Sequence, residues 1–311
     1  MNHNKDYEEI VLCLYDQKFH LGVAVLANSL VKSGFKGLIR IGHRDEALPE
    51  WVGQLEFIGE GCYVLSPGIR LCFTRVNTKM HLGYYKPYFL KEAIDAYSST
   101  NRFYYFDVDI AIKAPWSVFA NWLDKDVCLC LDNSFHYLHH KHPWRKEWRK
   151  IYEGNEINYN DTSHYYNSGF IGIERNSAVL IDRWILITEK FKMMGGNMQA
   201  FIKDAFISFK GDQDILNAAI TVSADVEIST MGREGMGFTL PASLMWHAIG
   251  DVKPWDKLFL FRLISLGQGP SMAERMYFNY CKFPIRVFKP LTFKIKMFDL
   301  RGAALLGRFI G

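Results

Sequence analysis

Two periods of apolar residues alternate along this chain. The run "EEIVLCLYD" (8–16) is a short apolar stretch ending in polar residues, as a buried strand reads. "HLGVAVLANSLVKSG" (20–34) follows with helical spacing and stops at a glycine. "GLIRIGH" (37–43) and "CYVLS" (62–66) read as further strands. "GYYKPYFLKEAIDAYSS" (83–99) reads as helical after its proline, and "RFYYFDVDIAI" (102–112) as the next strong strand. Strands alternating with helices predict an α/β fold, a mostly parallel sheet flanked by helices. Ligands of such sheets bind beyond the carboxyl ends of the strands, where Tyr15–Asp16 and the pair Asp107/Asp109 fall.

No internal repeat or low-complexity linker interrupts residues 1–257, which read as one domain. Residues 258–311 have a different character, a basic and aromatic C-terminal extension. From Lys282 onward there are seven Lys or Arg and one Asp, a local charge of +6, so the formal +4 of the whole chain leaves −2 for the rest. Basic residues interleaved with Phe and Leu suit an anionic membrane surface, while an amphipathic helix packed on the domain would show a similar pattern. No nucleic-acid recognition motif accompanies the basic patch.

Composition changes this picture little. Half of the residues are hydrophobic (49%), and the 15% of aromatics fits either ring stacking on sugars and bases or an aromatic-rich core. The start, "MNHNKDYEEIVLCLYDQ", lacks the basic and apolar regions of a secretory leader, and no stretch reaches the roughly 18 apolar residues of a membrane span. The six cysteines are scattered without metal-ligand spacing, and Cys128 and Cys130 are poorly placed for a disulfide, so all six read as small core residues. An intracellular protein is the expectation.

The chemistry concentrates in a few places. In an extended strand Asp107 and Asp109 share a face, and adjacent carboxylates repel unless they share a proton or a cation. Hard oxygen ligands suit Mg²⁺ or Mn²⁺. "YYNSGFIGI" (165–173) sets Asn-Ser-Gly at the mouth of a strand, where the glycine also fits a plain turn. "KGDQDILNAAI" (210–220) puts Asp212 at a helix start, where it also fits an N-cap. "MWHAIGDVKPW" (245–255) spaces a histidine, a glycine and a lysine three apart. "FHYLHHKHPWRKEWRKIYEGNEINYND" (135–161) carries four histidines without regular ligand spacing and reads as a solvated basic loop. Its Trp144 and Trp148 share a helical face and either line a groove or pack.

Together and in this order the Asp-x-Asp, the Asn-Ser-Gly strand, "DQDILN" and His-x-x-Gly-x-x-Lys-Pro-Trp resemble the family 8 glycosyltransferases, retaining enzymes of the GT-A fold. The resemblance runs from about residue 8 to residue 257. It implies that Asp107, Asp109 and His247 hold one divalent cation on the diphosphate of a nucleotide-sugar, the imidazole favouring Mn²⁺ over Mg²⁺. Gly250 and Lys253 would complete the phosphate site, with "KPW" folding a loop over the nucleotide. Cys13 to Asp16 would hold the uracil, Tyr15 stacking on it and Asp16 accepting from its imide N–H. Val108 would meet the ribose through its backbone, and Lys86 matches a basic position that reaches the donor. Asn167 and Asp212 would bond the sugar hydroxyls, and Gln213 would lie beneath the anomeric carbon. Asp212 and Gln213 are therefore the expected catalytic positions, Gln213 acting by its dipole in a front-face substitution.

The implied activity moves a hexose, glucose or galactose, from a UDP-sugar to a glycan or glycolipid acceptor in bacterial surface polysaccharide or lipopolysaccharide synthesis. The expected location is cytoplasmic, peripheral to the inner face of the membrane. A protein acceptor, or a non-catalytic nucleotide-sugar-binding relative, is the alternative. Phosphatases of the haloacid dehalogenase type also use Asp-x-Asp after a strand, but they want Thr or Val where this chain has Ala111.

Overall fold

The first strand, β1 (Glu9–Tyr15), is buried along its whole length because it lies at the middle of the sheet. The computed structural model of the chain describes residues 7–124, 126–152, 159–201 and 206–310. After β1 come α1 (His20–Ser33), β2 (Gly37–His43), β3 (Glu56–Gly59), β4 (Cys62–Ser66), β5 (Ile69–Arg75) and α2 (Leu82–Ala96). The middle of the chain forms β6 (Arg102–Phe106), β7 (Ile110–Ile112), α3 (Trp116–Trp122), β8 (Val127–Cys130), α4 (Pro143–Tyr152), β9 (Phe170–Glu174) and α5 (Val179–Met193). The last part adds α6 (Asp212–Thr221), β10 (Ile228–Met231), β11 (Met245–His247), α7 (Phe259–Leu266), α8 (Met272–Asn279) and α9 (Pro290–Ile310).

Among the described residues, nine strands form one sheet in the order β10-β8-β9-β6-β1-β2-β5-β4-β3. Only β4 and β9 run against the other seven, so the sheet is mostly parallel. Along β1 the side chains of Val11, Cys13 and Tyr15 join one apolar cluster, with α1, α3 and α7–α9. Those of Ile10, Leu12 and Leu14 join the other, with α2, α5 and α6. Because β9 is reversed, its start at Phe170 lies at the same sheet edge as the ends of β1 and β6. One edge therefore collects residues 15–16, 107–109 and 167–169. A separate antiparallel pair, β7 with β11, sets His247 opposite Ile110 and so carries the imidazole to that edge.

Three expectations change. Helix α2 does not begin after Pro87 but five residues before it, where His81 Nδ1 accepts from the Gly83 N–H at 3.1 Å and caps the start. Pro87 sits inside the helix at the expense of the ladder bond its missing N–H would make. Asp107 and Asp109 are not inside an extended strand: β6 ends at Phe106, and the Ile110 N–H closes a turn onto the Asp107 carbonyl at 3.1 Å. Asp212 is the first residue of α6, and Gly211 stands at the cap position.

The cysteines divide. Cys13, Cys128, Cys130 and Cys281 are buried free thiols, as expected of core residues. Cys62 and Cys72 instead form a disulfide, because the β4–β5 register sets them directly opposite each other with Cα atoms 4.1 Å apart. Linear spacing could not reveal that hairpin, and the argument for location that rested on six unpaired cysteines falls away. Among the described residues, no helix is long and apolar enough to cross a membrane.

Helix α1 is fitted against the Asp-x-Asp turn through Gly22. A Cβ at that position would lie 2.2 Å from the Val108 carbonyl oxygen, a backbone atom that cannot swing aside. Gly22→Ala is therefore expected to destabilise the protein by about 1–3 kcal/mol, read as a fall in the denaturant midpoint at unchanged slope. An unshifted midpoint would mean that the turn yields freely.

Candidate active site

The edge residues enclose a cavity of about 410 Å³ whose lining includes Tyr15, Asp16, Lys86, Asp107, Asp109 and Lys253. Val108, Ser168, Asp212, Gly250 and Asp251 also line it. Asp107 and Asp109 line this cavity and His247 lines the one beside it, and the three each present a ligand atom, all within 4.8 Å of one another. The turn at residue 107 thus brings the two carboxylates to one point without the extended backbone expected to do so.

Each carboxylate has its own cation. Lys86, 4% exposed, donates to Asp107 (2.9 Å to Oδ1), to Asp212 Oδ2 (2.9 Å) and to the Ser168 carbonyl (3.1 Å). An ammonium has three donors, and all three are used. Asp109, 7% exposed, takes Lys253 on Oδ2 at 2.6 Å and His247 Nε2 on Oδ1 at 3.1 Å. Burial would raise the Asp109 carboxyl, but His247 and then Lys253 outweigh it and hold the group well below the usual carboxylate range. The Asp212 carboxyl is likewise raised by burial but brought below its ordinary value by Lys86 and a hydrogen bond from Ser168. Three carboxylates face two ammonium groups and one imidazole here.

The space for an added cation comes from Gly169. A Cβ there would meet His247 Cε1 at 2.6 Å, Asn167 Oδ1 at 2.9 Å and Asp107 Oδ2 at 3.1 Å. The requirement at Gly169 is thus close approach rather than the positive φ of a turn. The buried His247 Nδ1 has no hydrogen-bond partner among the described residues. Two hard carboxylates and one imidazole in a cleft of this kind fit Mn²⁺ or Mg²⁺.

The other expected residues are placed as follows. Gln213 accepts from the Ser168 N–H at 3.3 Å. Asn167 donates to Asp132 at 3.0 Å and accepts from the Gly169 N–H at 2.9 Å. Asp16 pairs with Arg44. Tyr15 is 1% exposed and stacks on His43 with centroids 5.6 Å apart, so the face expected for the base already has a partner. Cys13 is fully buried in the core beneath, and its side chain lines no part of the cavity. The Val108 carbonyl is turned towards α1. Trp255 lies under the loop that follows Gly250, 3% exposed, between Phe19 and Tyr277.

Sequence reasoning missed Asp132, which accepts from Asn167 and from the Ser134 and Phe135 N–H groups, all at 3.0 Å. Its signal was present: "VCLCLD" is another apolar strand ending in aspartate, like those at Asp16 and Asp107. Ser168 and His81 were also missed. Of the two tryptophans, Trp148 packs, fully buried with its indole N–H on the Ser208 carbonyl at 2.8 Å. The basic loop is not wholly solvated. Arg145 is fully buried, donates to Leu138 O, Thr221 Oγ1 and His164 O, and is pushed by burial down to about 10. Residues 153–158 of that loop lie outside the described residues.

A nine-stranded, mostly parallel sheet flanked by helices, with an Asp-x-Asp turn at its carboxyl edge, is the GT-A architecture. Solved structures with the same fold include an active-site mutant of LgtC (TM-score 0.53, 13% identity, 92% of this chain and 99% of that one). They also include galactosyltransferase LgtC with donor and acceptor sugar analogs (TM-score 0.52, 14% identity, 92% of this chain and 99% of that one). A third is the bifunctional glycosyltransferase WbbM in its apo form (TM-score 0.54, 13% identity), matched over 96% of this chain and 52% of that one. At such identities the likeness is one of fold. No family model and no curated protein sequence matches the chain.

The Lys86 cluster gives a direct test of the electrostatics. Lys86→Met leaves the buried Asp212 and the partly exposed Asp107 without their shared cation and is expected to cost about 3–5 kcal/mol of stability. Equilibrium denaturation reads this, and a loss under about 1 kcal/mol would mean that solvent already screens the cluster.

Proposed function

We propose that the chain is a metal-dependent retaining glycosyltransferase that moves a hexose from a UDP-sugar to a glycan or glycolipid acceptor, of the kind built into bacterial surface polysaccharide. The observation that carries this reading is the convergence of Asp107, Asp109 and His247 beside a cavity lined by two lysines. The GT-A fold shared with LgtC and WbbM supports it.

In this reading Asp107, Asp109 and His247 hold Mn²⁺ or Mg²⁺, which when bound neutralises charge growing on the departing diphosphate. Lys253 binds the diphosphate from the other side, beside the backbone of Gly250. Asp16 and Tyr15 border the base, and Val108 borders the ribose. Lys86 does not reach the donor freely; its three bonds fix Asp107 and Asp212 in place. Asp212 and Asn167 orient the sugar, the latter steadied by Asp132. Gln213, held through the Ser168 N–H, turns its dipole to the positive charge that develops at the anomeric carbon. The acceptor hydroxyl attacks on the face the diphosphate leaves, and the leaving phosphate takes its proton. The basic, aromatic C-terminal segment supports contact with an anionic membrane surface at the cytoplasmic side.

Hydrolysis of a panel of nucleotide-sugars, with Mn²⁺ or with EDTA, tests the reading. Metal-dependent release of UDP from one donor is expected, with Asp109→Ala lower by at least about a hundredfold. Absence of both UDP release and UDP binding would overturn it. Gln213→Ala is expected to lower kcat by about ten- to a thousandfold with little change in KM. A change confined to KM would instead make Gln213 a ground-state binding residue.

A further inference from the structure

Helix α9 is apolar on two sides, and only one of them is covered. Leu300 and Ala303 are buried in the core shared with α1 and β1, and Phe293 and Met297 pack against it. On the other side Leu291, Ile295, Phe298 and Leu305 follow one another at helical spacing and are 55–75% exposed. An isolated exposed leucine needs no account, but a stripe along nearly four turns does. Helix α7, which meets α9 where Gly302 approaches Leu260, adds Phe261 and Ile264 at 66% and 76% exposure.

Beside the exposed stripe of α9 lies an open groove. Residues 281–288 run alongside α9 and leave a cavity of about 860 Å³ walled by Phe288, Phe293, Met297, Phe298 and Leu305. Its rim carries Lys282, Arg286, Lys294 and Arg301, all exposed, and among the described residues no acidic one lines it. The walls are firmly placed. The Asn28 side chain, from α1, donates to the carbonyls of Tyr280 (2.6 Å) and Ile285 (2.8 Å) and accepts from the Ile285 N–H (2.9 Å). Asp299 of α9 accepts from the Phe259 and Leu260 N–H groups and so caps α7.

A long apolar groove ringed by four cations matches a molecule with an apolar tail and an anionic head. We propose that this groove takes one acyl chain of an anionic phospholipid, its headgroup phosphate held by the rim of Lys282, Arg286, Lys294 and Arg301. The exposed stripe of α9 then lies among the neighbouring acyl chains. This deepens the membrane contact proposed above and rests on it, replacing diffuse adsorption by a defined lipid site. It also sets the orientation of the catalytic cavity, because Lys296 of α9 donates to the Trp255 carbonyl at 2.6 Å, directly behind the loop that carries Lys253.

Two double variants change only exposed side chains: Arg286→Glu with Arg301→Glu, and Phe298→Ser with Leu305→Ser. Co-sedimentation with phosphatidylcholine vesicles, with and without phosphatidylglycerol, should show binding only when the anionic lipid is present. Each double variant should weaken that binding by about tenfold or more. Native mass spectrometry with lysophosphatidylglycerol below its micelle concentration should show a one-to-one adduct that glycerol 3-phosphate does not give. The proposal is overturned if wild type ignores anionic vesicles, if both double variants bind as wild type does, or if no adduct forms. It is equally overturned if the apolar stripe proves to cover a second copy of the chain, seen as a dimer that Phe298→Ser with Leu305→Ser dissolves. Lipid binding with neither UDP release nor UDP binding would keep the groove and remove the transferase reading, and UDP release without lipid binding would do the reverse.

Discussion

The arrangement depends on how the carboxylates of two aspartates one residue apart are matched by cations. Left alone, such neighbours would share a proton. Here they are served from opposite sides, Asp107 by Lys86 and Asp109 by Lys253 with His247. Because Lys86 also holds Asp212, the balance ties α2, the Asp-x-Asp turn and the start of α6 into one unit. The Ser168 carbonyl, the third acceptor of Lys86, adds the approach to β9. A side chain with three fixed acceptors has no freedom left to follow a ligand, so its role is to position carboxylates. Lys253, with a single carboxylate partner and a half-buried stem, is the cation with latitude.

Close packing enforces the same geometry where charge cannot. The Val108 carbonyl is held against α1 where Gly22 lacks a side chain, which fixes the direction in which residues 107 and 109 leave the turn. Gly169 does the corresponding service on the far side, letting His247 and Asp107 approach within the volume a Cβ would fill. Two missing methyl groups thereby define the space for a cation, and they lie on elements separated by over a hundred residues. The reversed strand β9 is what makes this possible, since a parallel strand would have carried Gly169 to the opposite edge.

Much of this was legible in the order of residues. The α/β alternation, the helix at 20–33 with its glycine stop and the placing of Asp16 and the Asp107/Asp109 pair at one edge follow from apolar periodicity and from strands ending in polar residues. The joining of Asn167, Asp212 and His247 to them was implied by the family resemblance. What was not legible depended on pairing between distant segments. The Cys62–Cys72 bond needs the hairpin register. The start of α2 needs His81 as a cap, a signal overridden by the breaker reputation of Pro87. Arg145 looks solvated in a stretch rich in Lys and His, and only the folded chain brings two carbonyls and the Thr221 hydroxyl around it. Tyr15 looks available for stacking until β2 places His43 against it.

The C-terminal segment shows why local charge and local packing must be read together. Its +6 alone would fit any polyanion, and its apolar residues alone would fit a core. The fold uses about half of those apolar residues, Leu300 and Ala303 among them, to extend the cluster around α1. The others remain outside, interleaved with cations that have few carboxylates near them. Lys296 is the exception, drawn inward onto the Trp255 carbonyl, and burial lowers its ammonium from the usual lysine value. That bond braces the buried end of residues 250–255, whose other end, Gly250 to Val252, is exposed. The lysine facing Asp109 is thus presented on a short arm with one fixed end, and the fixed end belongs to the same helix that turns its apolar side outward.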